Sequence, residues 1–189
     1  MNHGRHHRRS IRLKGYDYAQ DGAYFVTMCT RDRACLFGDI ADGRMCLNDC
    51  GQLVADSWRW LSGRYPYVGL DEWVVMPNHL HGIIILTEPD GRGGSRTAPT
   101  QSRKSLGRLI GAFKTVSTKR LNAIRHTPGD SVWQRNYYEH IVRDEESLAR
   151  IRQYIIDNPS RWDEDRENPL AVGALREAPL PEPEALWQV

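Results

Sequence analysis

The run "WVVMPNHLHGIIIL", residues 73–86, is apolar except where two imidazoles, His79 and His81, interrupt it. Side chains of an extended strand alternate between faces, so these histidines project together while Leu80 points the other way. A pair so placed can chelate a divalent cation if a third ligand arrives from another element, leaving positions open for water or substrate. The strand is greasy on both sides: Ile83 and Ile85 follow His81 on one face, and Leu80, Ile84 and Leu86 share the other. Such a strand belongs in a sheet covered on both faces. An unpartnered imidazole there would be costly, so the pair either holds a metal or hydrogen-bonds to its neighbours. A histidine-triad hydrolase needs a third histidine where Ile83 stands. A structural zinc site lacks a cysteine close in sequence.

A second group with chemical potential lies near the end of the chain. Tyr154 and Asn158, in "YIIDNP", are four residues apart and share one face of a helix, on the flank of a stripe through Leu148, Ile151 and Ile155. If that flank packs over the histidine strand, the phenol approaches the metal site and the amide oxygen can ligate. The plainer reading makes Tyr154 a core-edge residue and Asn158 a helix terminator before Pro159. Tyr137 and Tyr138 are competing nucleophiles, and their adjacency in a strand puts them on opposite faces.

The elements that must position these groups follow from periodicity. "AYFVTMCTRD" reads as a strand and "CGQLVADSWRWLSGRY" as an amphipathic helix through Leu53, Val54, Trp58 and Leu61. "LDEWVVM" and "HLHGIIIL" form a hairpin hinged at Pro77 and Asn78. Residues 88–104 lack an apolar period and read as a mobile loop. "SLGRLIGAFKTVSTKRLNAI" carries a helical stripe of Leu106, Leu109, Ile110, Phe113, Val116, Leu121 and Ile124, with Arg108, Lys114, Thr115 and Lys119 on or near the other face. "VWQRNYYEHIVR" reads as a strand, and "DEESLARIRQYIIDNP" as a helix capped by Asp144, with Pro159 disfavouring helical geometry at Asn158. The order β-α-β-β-α-β-α predicts an α+β, ferredoxin-like antiparallel sheet with helices on both faces.

Charge is divided unevenly along the 189 residues. Residues 163–189 sum to −5, which leaves about +7 on residues 1–162 against a formal net charge of +2. The basic body suggests a polyanion partner. Arg5, Arg8, Arg9, Arg12 and Lys14 read as a phosphate-contacting arm, and Arg108, Lys114 and Lys119 as a second lining for a nucleic-acid backbone. The expected division is a basic arm at 1–12, a domain at 13–162 and an acidic, Pro-rich tail at 163–189. No segment has the length of a bilayer span or the core of a signal peptide, so a soluble cytoplasmic protein, associated with the nucleoid if its polyanion is DNA, is expected. Four cysteines without paired metal spacing read as reduced thiols.

Together, "MPNHLHGIII", "WQRNYYEHIVR" and "YIIDNP" resemble the REP-associated tyrosine transposases, relatives of single-tyrosine insertion-sequence transposases with a histidine-hydrophobic-histidine (HUH) motif. The resemblance spans roughly residues 13–162, and Leu80 fits the bulky middle position. It implies that His79 and His81 are metal ligands, Asn158 the third ligand and Tyr154 the nucleophile. It further implies Mg²⁺ or Mn²⁺, a single-stranded or hairpin DNA substrate, and nicking and strand transfer through a 5′-phosphotyrosine that leaves a free 3′-hydroxyl. Relatives of this architecture include dimers and monomers. A hairpin-binding module that does not cut, and a phosphodiesterase that uses water, are the rival readings.

Overall fold

The computed structural model describes Leu13, residues 15–88, residues 103–169 and Ala171. Arg5, Arg8, Arg9, Arg12 and Lys14, most of the expected loop at 88–104, and the tail beyond Ala171 lie outside the described residues. Four strands form the main sheet: β1 (Gly22–Cys29), β4 (Val68–Val75), β5 (His79–Leu86) and β6 (Tyr138–Val142), in the order β4-β5-β1-β6. Every neighbouring pair is antiparallel. The first strand thus lies between the third and fourth strands of the sheet, which is the ferredoxin-like order expected from the sequence. Between β1 and α1 (Asp49–Arg64) the chain adds a separate hairpin, β2 (Gly38–Ala41) and β3 (Arg44–Leu47). Asp42 and Gly43 turn it with φ of 50° and 69°, the backbone that favours Asp-Gly in a two-residue hairpin.

α1 and α2 (Leu106–Arg125) cover one face of the sheet. There Trp58, Leu61, Leu109 and Phe113 pack against Tyr24, Val26, Met28, Leu80 and Ile84. α3 (Glu145–Asp157) covers the other, with Leu148, Ile151 and Ile155 on Phe25 and Ile83. β5 therefore has no wet face, as its two-sided apolar pattern requires. Gly82 is forced by this packing. A Cβ there would meet Trp58 Cζ2 at 2.6 Å and Trp73 Cβ at 3.2 Å, so only glycine lets the buried indole of α1 lie flat beneath the strand just after His81.

The α2 stripe differs from its apolar pattern. Ser117 and Asn122 are buried whereas Ile124 is 45% exposed. The polar pair is used by the following loop: Ser117 Oγ accepts from Trp133 Nε1 at 2.9 Å, and Asn122 Nδ2 donates to the Asp130 carbonyl at 2.9 Å. Those partners replace the water that burial removes. The segment expected as a strand from Val132 onward is mostly extended loop. Trp133 makes only an isolated bridge to Thr30, and regular pairing begins at Tyr138.

α3 starts where its caps dictate. Asp144 accepts from Ser147 N at 2.7 Å, with Glu145 and Glu146 in the first turn. The helix is tied laterally to β4 by a two-pronged ion pair, Arg152 Nε and Nη2 donating to Asp71 Oδ1 and Oδ2 at 2.9 and 2.6 Å. Asp71 lies at the irregularity between Leu70 and Trp73, and the hydrogen-bonded guanidinium holds its carboxyl below the usual range. Asn158 keeps helical dihedrals, φ −56° and ψ −42°, contrary to expectation. The α-helix still stops at Asp157, because Pro159 has no N–H to continue it and the chain tightens into a 3-10 turn, Pro159–Glu164.

Candidate metal and nucleophile site

The turn between β4 and β5 is anchored before the histidines begin. Pro77 O accepts from Leu36 N and Phe37 N at 2.9 and 3.0 Å, and Asn78 O accepts from Thr30 N at 2.8 Å. From that fixed start the strand period sends His79 and His81 to the α3 face, where they are 0% and 3% exposed. Their Nε2 atoms are 3.0 Å apart. Each Nδ1 has its own partner, Asn78 Oδ1 for His79 and Thr27 Oγ1 for His81, both at 2.8 Å. Thr27 is the register partner of His81 on β1. Phe25 stacks on His81 with ring centres 5.6 Å apart. Burial drives both imidazoles toward the neutral form, His79 down to about 3 and His81 well below its ordinary value, where the neighbouring His79 adds to the effect.

α3 delivers the second group as the i, i+4 spacing requires. Tyr154 Oη lies 3.4 Å from His81 Nε2, its ring edge-on to the imidazole at 5.2 Å. Asn158, one turn on, is 4% exposed and influences the ionisation of both His79 and Tyr154. Its Oδ1 is buried with no hydrogen bond of normal geometry among the described residues. Burial pushes the Tyr154 phenol up to about 12, and the nearby Asp165 carboxylate pushes in the same direction.

The chain beyond the expected domain boundary at 162 closes the site. Trp162 lies 6.0 Å from His79, ring centre to ring centre. Asp165 Oδ2 comes within 3.7 Å of His79 Nε2, and this oxygen is also buried without a hydrogen-bond partner. His79, His81 and Asp165 each offer a ligand atom, all within 4.8 Å of one another. Glu167 binds Arg33 Nε at 3.1 Å and accepts from Cys29 Sγ at 3.4 Å, and Arg33 Nη1 donates to the Arg166 carbonyl at 3.2 Å. The folded part therefore runs to at least Asn168, whose Nδ2 donates to the Trp162 carbonyl at 3.0 Å. Glu167 is drawn in by Arg33, and Asp165 is carried beside His79 with it, which composition alone does not show.

These residues fit a divalent cation. Two neutral imidazoles face each other through their Nε2 atoms, and the amide and carboxylate oxygens beside them lack the donors that buried oxygens normally find. A mixed nitrogen and oxygen donor set suits Mn²⁺ somewhat better than Mg²⁺.

The other expected residues are placed apart. Tyr138 faces the α3 side, its ring 6.2 Å from Phe25, whereas Tyr137 lies on the opposite face beneath the Lys114 ammonium. Lys114 donates to the Gln134 and Asn136 carbonyls at 2.8 and 3.0 Å, which ties down the segment leading into β6, and burial lowers its pKa to about 8. Lys114 and Lys119 line a cleft of about 530 Å³ with Thr115, Asn122, Gln134 and Arg135. Arg108 is exposed on α2. All three cations thus belong to the helix across the sheet from the histidines.

Asn78, Thr27 and Asp165 are the site residues that sequence reasoning missed. Thr27 shares the strand alternation of Phe25, but its partner His81 is 54 residues away. Asn78 carries the signal of a turn residue, and nothing periodic marks Asp165.

No family model matches the chain. A Haemophilus influenzae protein that is itself uncharacterized is 43% identical over 175 residues, covering 87% of this chain and 95% of that protein. A second H. influenzae protein, provisionally named as a REP-associated tyrosine transposase, is 26% identical over 145 residues, 76% of this chain and 73% of its own. The solved structure of a REP-associated tyrosine transposase bound to a REP hairpin shares the fold, with a TM-score of 0.56 and 20% identity over 79% of this chain and 73% of that one. No helix among the described residues is long and apolar enough to cross a membrane. By fold this chain is similar to the solved REP-associated tyrosine transposase, and by sequence to a protein provisionally given that name.

Proposed function

We propose that this protein nicks and rejoins single-stranded DNA at hairpin, REP-like sequences, with Tyr154 as nucleophile and a divalent cation, Mn²⁺ or Mg²⁺, held by His79, His81 and Asn158. Asp165 is a candidate for a further ligand. The observation that carries this reading is the approach of Tyr154 Oη to 3.4 Å from His81 Nε2, beside two unpartnered buried oxygens. A phosphodiester is anionic and resists attack, and the cation supplies positive charge to the scissile phosphate and the developing phenolate. Tyr154 does the rest. Its hydroxyl loses a proton as it attacks phosphorus, the bond to the 3′-oxygen breaks, and the DNA is left as a 5′-phosphotyrosine with a free 3′-hydroxyl. The new ester conserves the bond energy, so a 3′-hydroxyl can attack it and rejoin a strand without ATP.

Phe25 packs against both the His81 imidazole and the Tyr154 ring, a dry wall that strengthens each charge interaction. Arg5, Arg8, Arg9, Arg12 and Lys14 would supply phosphate contacts from the arm, and Arg108, Lys114 and Lys119 from the α2 side. The hairpin bound by the solved relative supports DNA as the partner, and we place the protein in the cytoplasm with access to the nucleoid. The test is cleavage of a single-stranded oligonucleotide carrying a REP-like hairpin, with Mn²⁺. His79→Ala and His81→Ala should each abolish cleavage while retaining hairpin binding, since affinity comes mainly from phosphate and base contacts. Equal cleavage by both variants and the wild type would remove the metal site from the mechanism.

A further inference from the structure

Asn78 is wholly buried at the β4–β5 turn, immediately before the histidine strand. Its amide can sit only one way. Nδ2 donates to the Arg33 carbonyl at 3.0 Å and to the Glu167 carbonyl at 2.7 Å. Turned over, the amide would set its oxygen against two carbonyl oxygens that have nothing to donate. Oδ1 therefore faces His79 Nδ1 at 2.8 Å. An amide oxygen only accepts, so Nδ1 must carry the ring proton and Nε2 the lone pair.

The second imidazole is held by a different kind of partner. His81 Nδ1 lies 2.8 Å from Thr27 Oγ1, and a hydroxyl can donate or accept. The two Nε2 atoms are 3.0 Å apart, and that of His79 is already an acceptor. In the metal-free site His81 Nε2–H must therefore donate to it, with the Thr27 hydroxyl donating to His81 Nδ1.

We infer that Asn78 is a positioning residue that locks His79 as its Nδ1–H tautomer, while Thr27 leaves His81 free to exchange tautomers when a cation arrives. The inference rests on the cation reading above for its second half only. His79 presents its lone pair at all times. His81 presents one when a proton leaves Nε2 and a proton is taken up at Nδ1, the Thr27 hydroxyl turning from donor to acceptor, so the ring stays neutral throughout. The lock on Asn78 includes the Glu167 carbonyl, so the segment that brings Asp165 to the site also buttresses the histidines from behind. Orientation of a ligand imidazole by a partner on its other nitrogen is a general device of metal sites.

The test is long-range ¹H–¹⁵N NMR of the histidine rings in the full chain, first with chelator and then with Zn²⁺ as a diamagnetic probe. His79 should show Nδ1–H in both states. His81 should show Nε2–H with chelator and Nδ1–H with Zn²⁺. Asn78→Ala should give a tautomer mixture and lower Zn²⁺ affinity by about 10–100-fold, the usual cost of losing such a partner. A wild-type His79 carrying Nε2–H with chelator overturns the lock outright, with no variant needed. So does a folded Asn78→Ala that keeps both the tautomer and the Zn²⁺ affinity. Failure of Zn²⁺ to bind the wild type would overturn the His81 exchange and the cation reading, while the chelator spectrum still judges the lock.

Discussion

Acidification of the metal-free protein should remove stability in proportion to the two buried histidines. Burial keeps His79 neutral down to about 3 and His81 neutral well below its ordinary value, whereas both titrate near 6.5 once unfolded. The native pKa values are depressed, so the stability they contribute is fully present above pH 6.5 and is lost as pH falls toward the native values. At pH 5 the unfolded chain has taken up nearly one proton per imidazole and the native chain almost none. Integrating from pH 8 to pH 5 gives a loss of about 2 kcal/mol for each histidine, or about 4 kcal/mol for the pair. Asp165 works the other way, because burial raises its carboxyl and protonation then favours the fold. The pair is therefore isolated by difference, using urea unfolding with chelator at pH 8, 6.5 and 5 for the wild type and a His79→Gln/His81→Gln variant. The half-buried His140, also lowered by burial, cancels in that comparison. The wild type should lose about 4 kcal/mol more than the double variant across this range. Equal losses would mean that the imidazoles are wet or already protonated in the native state, and the closed site would have to be abandoned.

Three other perturbations have defined outcomes. Gly82→Ala drives a Cβ into Trp58 at 2.6 Å; it should cost about 1–3 kcal/mol in urea unfolding, as overpacking generally does, and an unchanged midpoint would show that the indole is free to move. Asn158→Ala should weaken Mn²⁺ binding, measured by electron paramagnetic resonance of the free ion, with only a small change in the thermal midpoint in chelator, because Asn158 Oδ1 makes no hydrogen bond of normal geometry among the described residues. A lower midpoint with unchanged Mn²⁺ affinity would make Asn158 structural. Deleting residues 1–12 should weaken hairpin binding and flatten its salt dependence as Arg5, Arg8, Arg9 and Arg12 cease to displace counterions, and an unchanged slope would make the arm a bystander.

Local periodicities were the readable part of this protein. Period two in "HLHGIIIL" placed His79 and His81 on one face and required cover on both sides of the sheet, which α3 and the α1–α2 pair provide. Period 3.6 put Tyr154 and Asn158 on one flank of α3. The helix cap at Asp144 fixed where that period starts. What stayed hidden was contributed by contacts between segments distant in sequence or without a period. Thr27 meets His81 only because β1 and β5 pair in that register. Asp165 and Glu167 look like the start of an acidic tail until Arg33 and His79 are brought to them by the fold. Asn78 has the composition of a turn and performs that role, yet its side chain also hydrogen-bonds His79 Nδ1. In α2, buried Ser117 and Asn122 displace Ile124 from the inner stripe because the loop after the helix needs polar partners. Hydropathy does not carry that requirement.

The central claim, that Tyr154 is a nucleophile beside a metal site, is tested most directly by trapping it. The full chain incubated with Mn²⁺ and single-stranded DNA bearing a REP-like hairpin should yield a protein–DNA species that survives denaturation. Peptide mapping should place the link on Tyr154, the tyrosine whose hydroxyl lies 3.4 Å from His81 Nε2. Tyr154→Phe removes that hydroxyl and keeps the ring against Phe25, so it should fold, bind the hairpin and form no adduct. Cleavage that persists in Tyr154→Phe without an adduct would assign the chemistry to water, and a link on Tyr138 or Tyr137 would contradict the account.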